Sequence, residues 1–324
     1  MAIPPLWVLA VVLSCLVSTF TVLGFVLQTR AVRDPSQRSR YPRLGEVVIS
    51  PCWVLGVLLQ AVPNFVGDAV VYTIAPLSLT APLSGFSVAL NTSLAPWLLG
   101  ERLHRWPDLP ATALILLGLV LTTGAGPHQD RRPVAGPAAV CALASRPLVL
   151  GLLAGLLASL CACVGCQLLA RQRIEREAQE RFEAPRLWDL LLPAWSAAGA
   201  GCVTNVGMKV FGEFLAAGAP GAQVLGAFWL GVAPAALVQQ QCVNRGLRLY
   251  PQTVFFPIYS SLLVLSNTLL GGLFFEEYLA LAGEDREIAG FGGGLLIILA
   301  GIVLFSRRRS KASAPAPGLQ EALL

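Results

Sequence analysis

Runs of about 20 apolar residues recur along this chain, and that recurrence sets its fold class. Each run is long enough to cross about 30 Å of hydrocarbon as a helix. Composition agrees: 55% of residues are apolar, 13% are charged, and the mean hydropathy is +0.68. A soluble domain carries about 25% charge. The sequence therefore predicts an all-α, polytopic membrane protein. Its eight cysteines sit almost entirely inside apolar runs and outline no disulfide framework.

The runs place nine spans at about 5–28, 47–74, 77–100, 109–126, 147–170, 188–213, 222–248, 251–275 and 289–306. A ten-helix alternative breaks the chain near Pro76 or Pro82. The first run lacks a basic start and is too long for the apolar part of a signal peptide, so it reads as a membrane helix. The second and seventh spans are long, which predicts tilting or kinking. Pro63 in the second removes a backbone hydrogen bond and supplies such a kink. Residues 1–306 form one transmembrane domain, and 307–324 a cytosolic tail that is basic and then disordered.

Cytosolic loops are enriched in Lys and Arg. With the N-terminus outside, alternating connections put 18 of the 23 basic residues in the cytosol, including five Arg in 29–46 and five in 171–187. The C-terminus is then cytosolic. Loop 171–187 mixes Arg with Glu and reads as a short solvated helix with i,i+4 pairs.

Two segments repeat one another. Residues 76–102 read PLSLTAPLSGFSVALNTSLAPWLLGER, and 251–278 read PQTVFFPIYSSLLVLSNTLLGGLFFEEY. Pro76 and Pro82 keep the spacing of Pro251 and Pro257, and Asn91 and Asn267 precede Glu101 and Glu277 by the same ten residues. The halves, about 5–126 and 188–306, are joined by one linking helix at 147–170. They therefore cross the bilayer in opposite senses. Such inverted repeats are a mark of secondary transporters, which bind substrate near the midplane.

Polar groups inside spans are costly and mark candidate sites. Asp68 is the acid deepest in an apolar run; it suits a cation or proton, or marks a wet helix end. Asn91 and Asn267 both fall near mid-bilayer, one from each repeat, and their carboxamide oxygens suit a hard cation. The plain alternative is interhelical hydrogen bonding, about 0.6 kcal/mol each. Pro82 and Pro257 free backbone carbonyls that can line a cavity or simply kink a helix. Lys209 can pair with Glu213 at i,i+4 or snorkel outward. Asn205 lies one turn deeper. Gln239, Gln240, Gln241 and Asn244 crowd the inner half of the seventh span, which fits a cytosolic vestibule. Glu101 and Glu277 end the matched helices at opposite faces, so they cannot share one ion; solvated helix ends are the default. Cys161, Cys163 and Cys166 read as small packing residues rather than a metal site. The chain carries no G-x-x-x-x-G-K-[ST] loop and no catalytic dyad, so neither an ATP motor nor an enzyme is expected, and no cofactor is implied.

The stretches GDAVVYTIAPLSLTAPLSGFSVALNTSLAPWLLGERL and NRGLRLYPQTVFFPIYSSLLVLSNTLLGGLFFEEY resemble the NIPA family of magnesium transporters, within the drug/metabolite transporter superfamily. Ala75-Pro76, Ala81-Pro82-Leu83, Glu101-Arg102-Leu103, Asn244, Pro257-Ile258-Tyr259 and Glu277 match in register, and Lys209 fits the family's Gly-Ser…Lys helix. Three departures stand out: Asp68 where the family has Asn, Cys202 after Gly201 in place of Ser, and GFVLQTRA in the first helix.

The resemblance implies a carrier in the plasma or endosomal membrane with magnesium as its substrate. Asp68, Asn91 and Asn267 would then touch the ion. Magnesium gives up water reluctantly, so few direct ligands are expected. The alternatives are a carrier of an organic solute, such as a nucleotide sugar or amine, and a membrane scaffold. Whether copies assemble as a homo-oligomer stays open.

Overall fold

The computed structural model describes residues 6–74, 86–103, 105–125, 136–180, 187–276 and 285–306. In chain order they form α1 (Leu6–Arg33), α2 (Pro35–Arg40), the strands β1 (Arg43–Leu44) and β2 (Val47–Val48), α3 (Pro51–Ile74), α4 (Phe86–Leu99), α5 (Arg105–Ala125), α6 (Gly136–Ala144), α7 (Pro147–Leu169) and α8 (Arg171–Glu180). Then follow α9 (Leu187–Ala216), α10 (Gly221–Ala227), a π segment (Phe228–Val232), α11 (Ala233–Leu249), α12 (Gln252–Phe274) and α13 (Asp285–Ser306). Among the described residues the fold is all-α apart from a hairpin of two two-residue strands. Pro82 and Glu277 lie outside the described residues, as does the side chain of Asp68 on α3.

By length and apolarity, five helical stretches among the described residues can cross a membrane: Val8–Arg33, Pro147–Leu169, Gly221–Leu249, Gln252–Phe274 and Asp285–Leu304. Shorter apolar helices run over Pro51–Gly67 and Phe86–Leu99, in two more of the expected ranges. In the last two ranges, α5 and α9 bring Asp108 and Asp189 into their first turns. Helix α6 falls where a loop was expected. Its nine residues reach only about 13 Å at 1.5 Å per residue, too short to cross.

Two glycine seams tie the bundle together. A Cβ on Gly24 of α1 would lie 2.6 Å from the carbonyl oxygen of Gly56 on α3. A Cβ on Gly118 of α5 would lie 2.6 Å from the carbonyl oxygen of Gly294 on α13. Small residues let helix backbones approach this closely, which is how helices gain contact in lipid. Helix α12 is the hub: 78% of its apolar window is buried, against 11% for α7 at the rim.

The seventh expected span is interrupted by the π segment, and Pro234 explains how. Proline has no N–H, so the carbonyl of Leu230 has no i+4 donor. The ladder slips by one residue upstream: the Ala233 N–H donates to the Phe228 carbonyl, closing a π turn. Such single-turn bulges recur at functional sites. Helix α8 forms within the expected loop, with Arg171–Glu175 at 3.1 Å as an i,i+4 pair. It is not fully solvated, because Ile174 and Ala178 are buried.

Candidate functional site

A cavity of about 320 Å³ opens among α1, α3, α9, the π segment, α11 and α12. Its polar lining comes from evenly spaced positions. On α1 these are Ser14, Ser18 and Thr21; on α3 they are Gln60 and Asn64. Spacings of three and four place such residues on one helix face. Asn205, Gln239, Tyr259 and Asn267 are among the other polar lining residues, with Phe25, Phe65 and Phe228 among its rings. None of the described lining residues is charged.

Hydrogen bonds fix how the α3 amides are held. Thr21 Oγ1 donates its proton to the Val17 carbonyl at 2.8 Å. It is therefore an acceptor for Asn64 Nδ2 at 3.0 Å, whose other proton goes to the Gln60 carbonyl at 2.7 Å. Both Asn64 amide protons are spent; its Oδ1 lies 3.3 Å from the same Thr21 hydroxyl, whose one proton has the shorter bond to Val17, so the oxygen keeps accepting capacity. Asn267 is 2% exposed, and its Oδ1 is buried with no hydrogen-bond partner among the described residues. Such an orphaned acceptor costs about 1–3 kcal/mol.

Beyond Phe25 the bundle closes in polar layers. Gln28, fully buried on α1, donates through Nε2 to Gln60 Oε1 at 2.6 Å and accepts from Gln240 Nε2. One layer on, Trp53 Nε1 donates to Asn244 Oδ1 at 3.1 Å. Beside it Thr29 donates to Gln252 Oε1 at 2.6 Å, and Gln252 Nε2 donates to Asn91 Oδ1 at 2.7 Å.

The outermost layer is ionic. Glu101 accepts the backbone N–H groups of Gln252 and Thr253, each at 2.7 Å. A carboxylate there satisfies donors left free at the start of α12 and meets the positive end of its dipole. Arg33 pairs with Glu101 at 2.7 Å and donates to the carbonyls of Leu247 and Tyr250 at the end of α11. One ion pair thus caps both helices at the α11–α12 corner. Nearby, Arg248 bridges Glu46 and Glu175, each at 2.9 Å. Partial burial opposes ionisation of Glu175, yet the hydrogen bonds from Arg248 and Arg171 win and hold its carboxyl below the usual range.

Of the residues singled out from the sequence, Asn205 and Asn267 line the cavity. Asn91 does not join Asn267; it is fully buried against Gln252 in the closed end. Asn244 is likewise a strut, donating to the Gln240 carbonyl at 2.7 Å as it holds Trp53. In the polar run at Gln239–Asn244, Gln239 and Gln240 line the cavity, Gln239 donates to Tyr259 Oη at 2.7 Å, and Gln241 pins the β1–β2 hairpin through the Leu44 carbonyl at 3.1 Å. Lys209 is 4% exposed, with its Nζ 4.5 Å from the Phe275 ring centroid. Pro257 is buried inside α12 beside the cavity-lining Phe256. Glu101 is not a solvated helix end, because three N–H donors hold it in place. Asp68 follows Asn64 by one turn on α3.

The sequence reading passed over Thr21, Gln28, Gln60 and Asn64. Their signal was the polar stripe at 14, 18, 21 and 28, and the i,i+4 pair 60 and 64, inside otherwise apolar runs.

The first half of this architecture has a known counterpart. The family model "Magnesium transporter NIPA" matches residues 6–140, from the start of α1 into α6. Over those residues the chain is similar to the NIPA magnesium transporters. The match takes in Thr21, Gln28, Gln60, Asn64, Asp68 and Glu101, so the α1 and α3 lining of the cavity lies within the matched stretch. Together with the five helices long and apolar enough to cross a membrane, that match supports an integral membrane protein similar to transporters. No curated protein and no solved structure matched the chain.

Proposed function

We propose that this protein carries Mg²⁺ across a membrane by exposing one cavity alternately to its two faces. The observation that supports this reading most is an oxygen-bearing cavity, uncharged among its described lining residues and closed at one end, built across two halves of which the first matches the NIPA family model. On this reading Asn64, Asn205 and Asn267 face the ion. Asp68, one turn past Asn64, supplies negative charge. Lys209 stays outside the cavity. Nine membrane crossings in an inverted repeat, with the N-terminus outside and the C-terminus in the cytosol, put the Arg33–Glu101 corner on the cytosolic side. Passage then requires the α11–α12 corner to separate from Arg33 of α1.

The aromatic rings of the cavity favour a second reading, a carrier of organic amines, through cation–π contacts worth about 0.5–2 kcal/mol each. Growth of cells lacking magnesium uptake separates the two. The full chain restores growth at limiting Mg²⁺, and Asn64→Ala/Asn267→Ala and Asp68→Ala abolish the rescue while still reaching the membrane. A correctly inserted wild-type chain that restores no growth contradicts the magnesium reading.

A further inference from the structure

The cavity's donor set bears on the state in which a cation is held. We infer that the ion is recognised through its water shell, with Asn64 Oδ1 and Asn267 Oδ1 accepting hydrogen bonds from coordinated water. The inference rests on the magnesium reading above and adds how that ion is bound.

Three observations carry it. Direct Mg²⁺ binding needs near-octahedral oxygens at about 2.0–2.1 Å, with one or two carboxylates among them. The described residues hold no cluster of three or more His, Cys, Asp or Glu, and those lining the cavity are uncharged amides, hydroxyls and rings; Asp68, whose side chain lies outside the described residues, is the one carboxylate that the magnesium reading adds. Size is the second. Each water takes about 30 Å³, so six occupy about 180 Å³, within the cavity's roughly 320 Å³. Polarity is the third. Water on a dication is a strengthened donor and seeks acceptors. The two amides offer those: Asn64 has both protons spent, and Asn267 Oδ1 is buried without a partner among the described residues. They stand on α3 and α12, on separate halves of the chain. A hydrogen bond to a charged ligand is worth about 1.5–3 kcal/mol, enough for two such contacts to discriminate.

Hexaamminecobalt(III) is the probe. Its six ammine ligands do not exchange, so it donates N–H groups as a hydrated ion donates O–H groups but cannot be coordinated directly. The full chain is reconstituted in liposomes, and Mg²⁺ entry is followed with an internal indicator. The complex competes with Mg²⁺. Asn267→Ala and Asn64→Ala each weaken the block about tenfold, the loss of one charge-assisted hydrogen bond. Asn267→Asp, isosteric and anionic, strengthens it, which keeps the test informative should the alanine variants fold poorly. Saturable Mg²⁺ entry that ignores the complex overturns the inference and leaves the magnesium reading standing. Block by a simple organic ammonium but not by the complex overturns it as well. Absence of Mg²⁺ entry overturns both.

Discussion

Replacing Glu101 by Ala leaves the Gln252 and Thr253 N–H groups and the Arg33 guanidinium without their shared acceptor. The Glu101 side chain is only 7% exposed, so water replaces it poorly. Removing one partner of a buried pair costs about 3 kcal/mol or more, and Glu101→Ala lowers the melting temperature of the purified protein accordingly. Arg33→Lys does not substitute, since Lys lacks the planar fork that reaches two carbonyls and a carboxylate together.

Glu175 sets a pH dependence. Its folded pKa lies below the unfolded value of about 4.3 because Arg248 and Arg171 hold the anion. Its contribution is full above the unfolded pKa and is lost as pH falls through the folded one. Glu175→Gln therefore flattens the acid side of a stability–pH profile, with a small effect near neutrality because the group is partly exposed.

Asn205 and Asn267 were legible as cavity residues from polarity alone. Asn91 was not, because depth counted along a helix ignores where the next side chain reaches. The Gln252 side chain comes to Asn91 and draws it into the closed end.

At the scale of elements, Gly294 shows why the seams matter. A Cβ there would lie 2.2 Å from Thr122 Oγ1 and 2.6 Å from the Thr122 nitrogen. Gly294→Val forces α13 off α5 and costs about 1–3 kcal/mol, read as a lower melting temperature. Gly293, whose Cβ would meet nothing within 4 Å, tolerates Ala. Pro234→Ala returns an N–H to the ladder, straightens the π segment and shifts Phe228 and Val232 at the cavity wall; the change appears as an altered transport rate with stability kept. The helices themselves were legible because apolar length is a strong signal. The π slip was not, since a proline announces a lost hydrogen bond and not how the ladder repairs it.

For the whole molecule, the sequence repeat pointed to two halves meeting around one site. The cavity does draw on both: α1 and α3 come from the first, and α9, α11 and α12 from the second. What the repeat could not convey is the asymmetry of its contents. Asn267 faces the cavity while its sequence counterpart Asn91 braces the closed end, and the amides of α3 and α11 meet through Gln28 in a seal that no pairwise match encodes. The account stands on one claim, that this cavity carries magnesium. Mg²⁺ entry into liposomes holding the purified full chain tests it most directly. Saturable entry that falls at least about tenfold in Asn64→Ala/Asn267→Ala, about one charge-assisted hydrogen bond or more, with the fold retained, is the expected result. Entry no faster than in protein-free liposomes, or equal entry through the double variant, contradicts it.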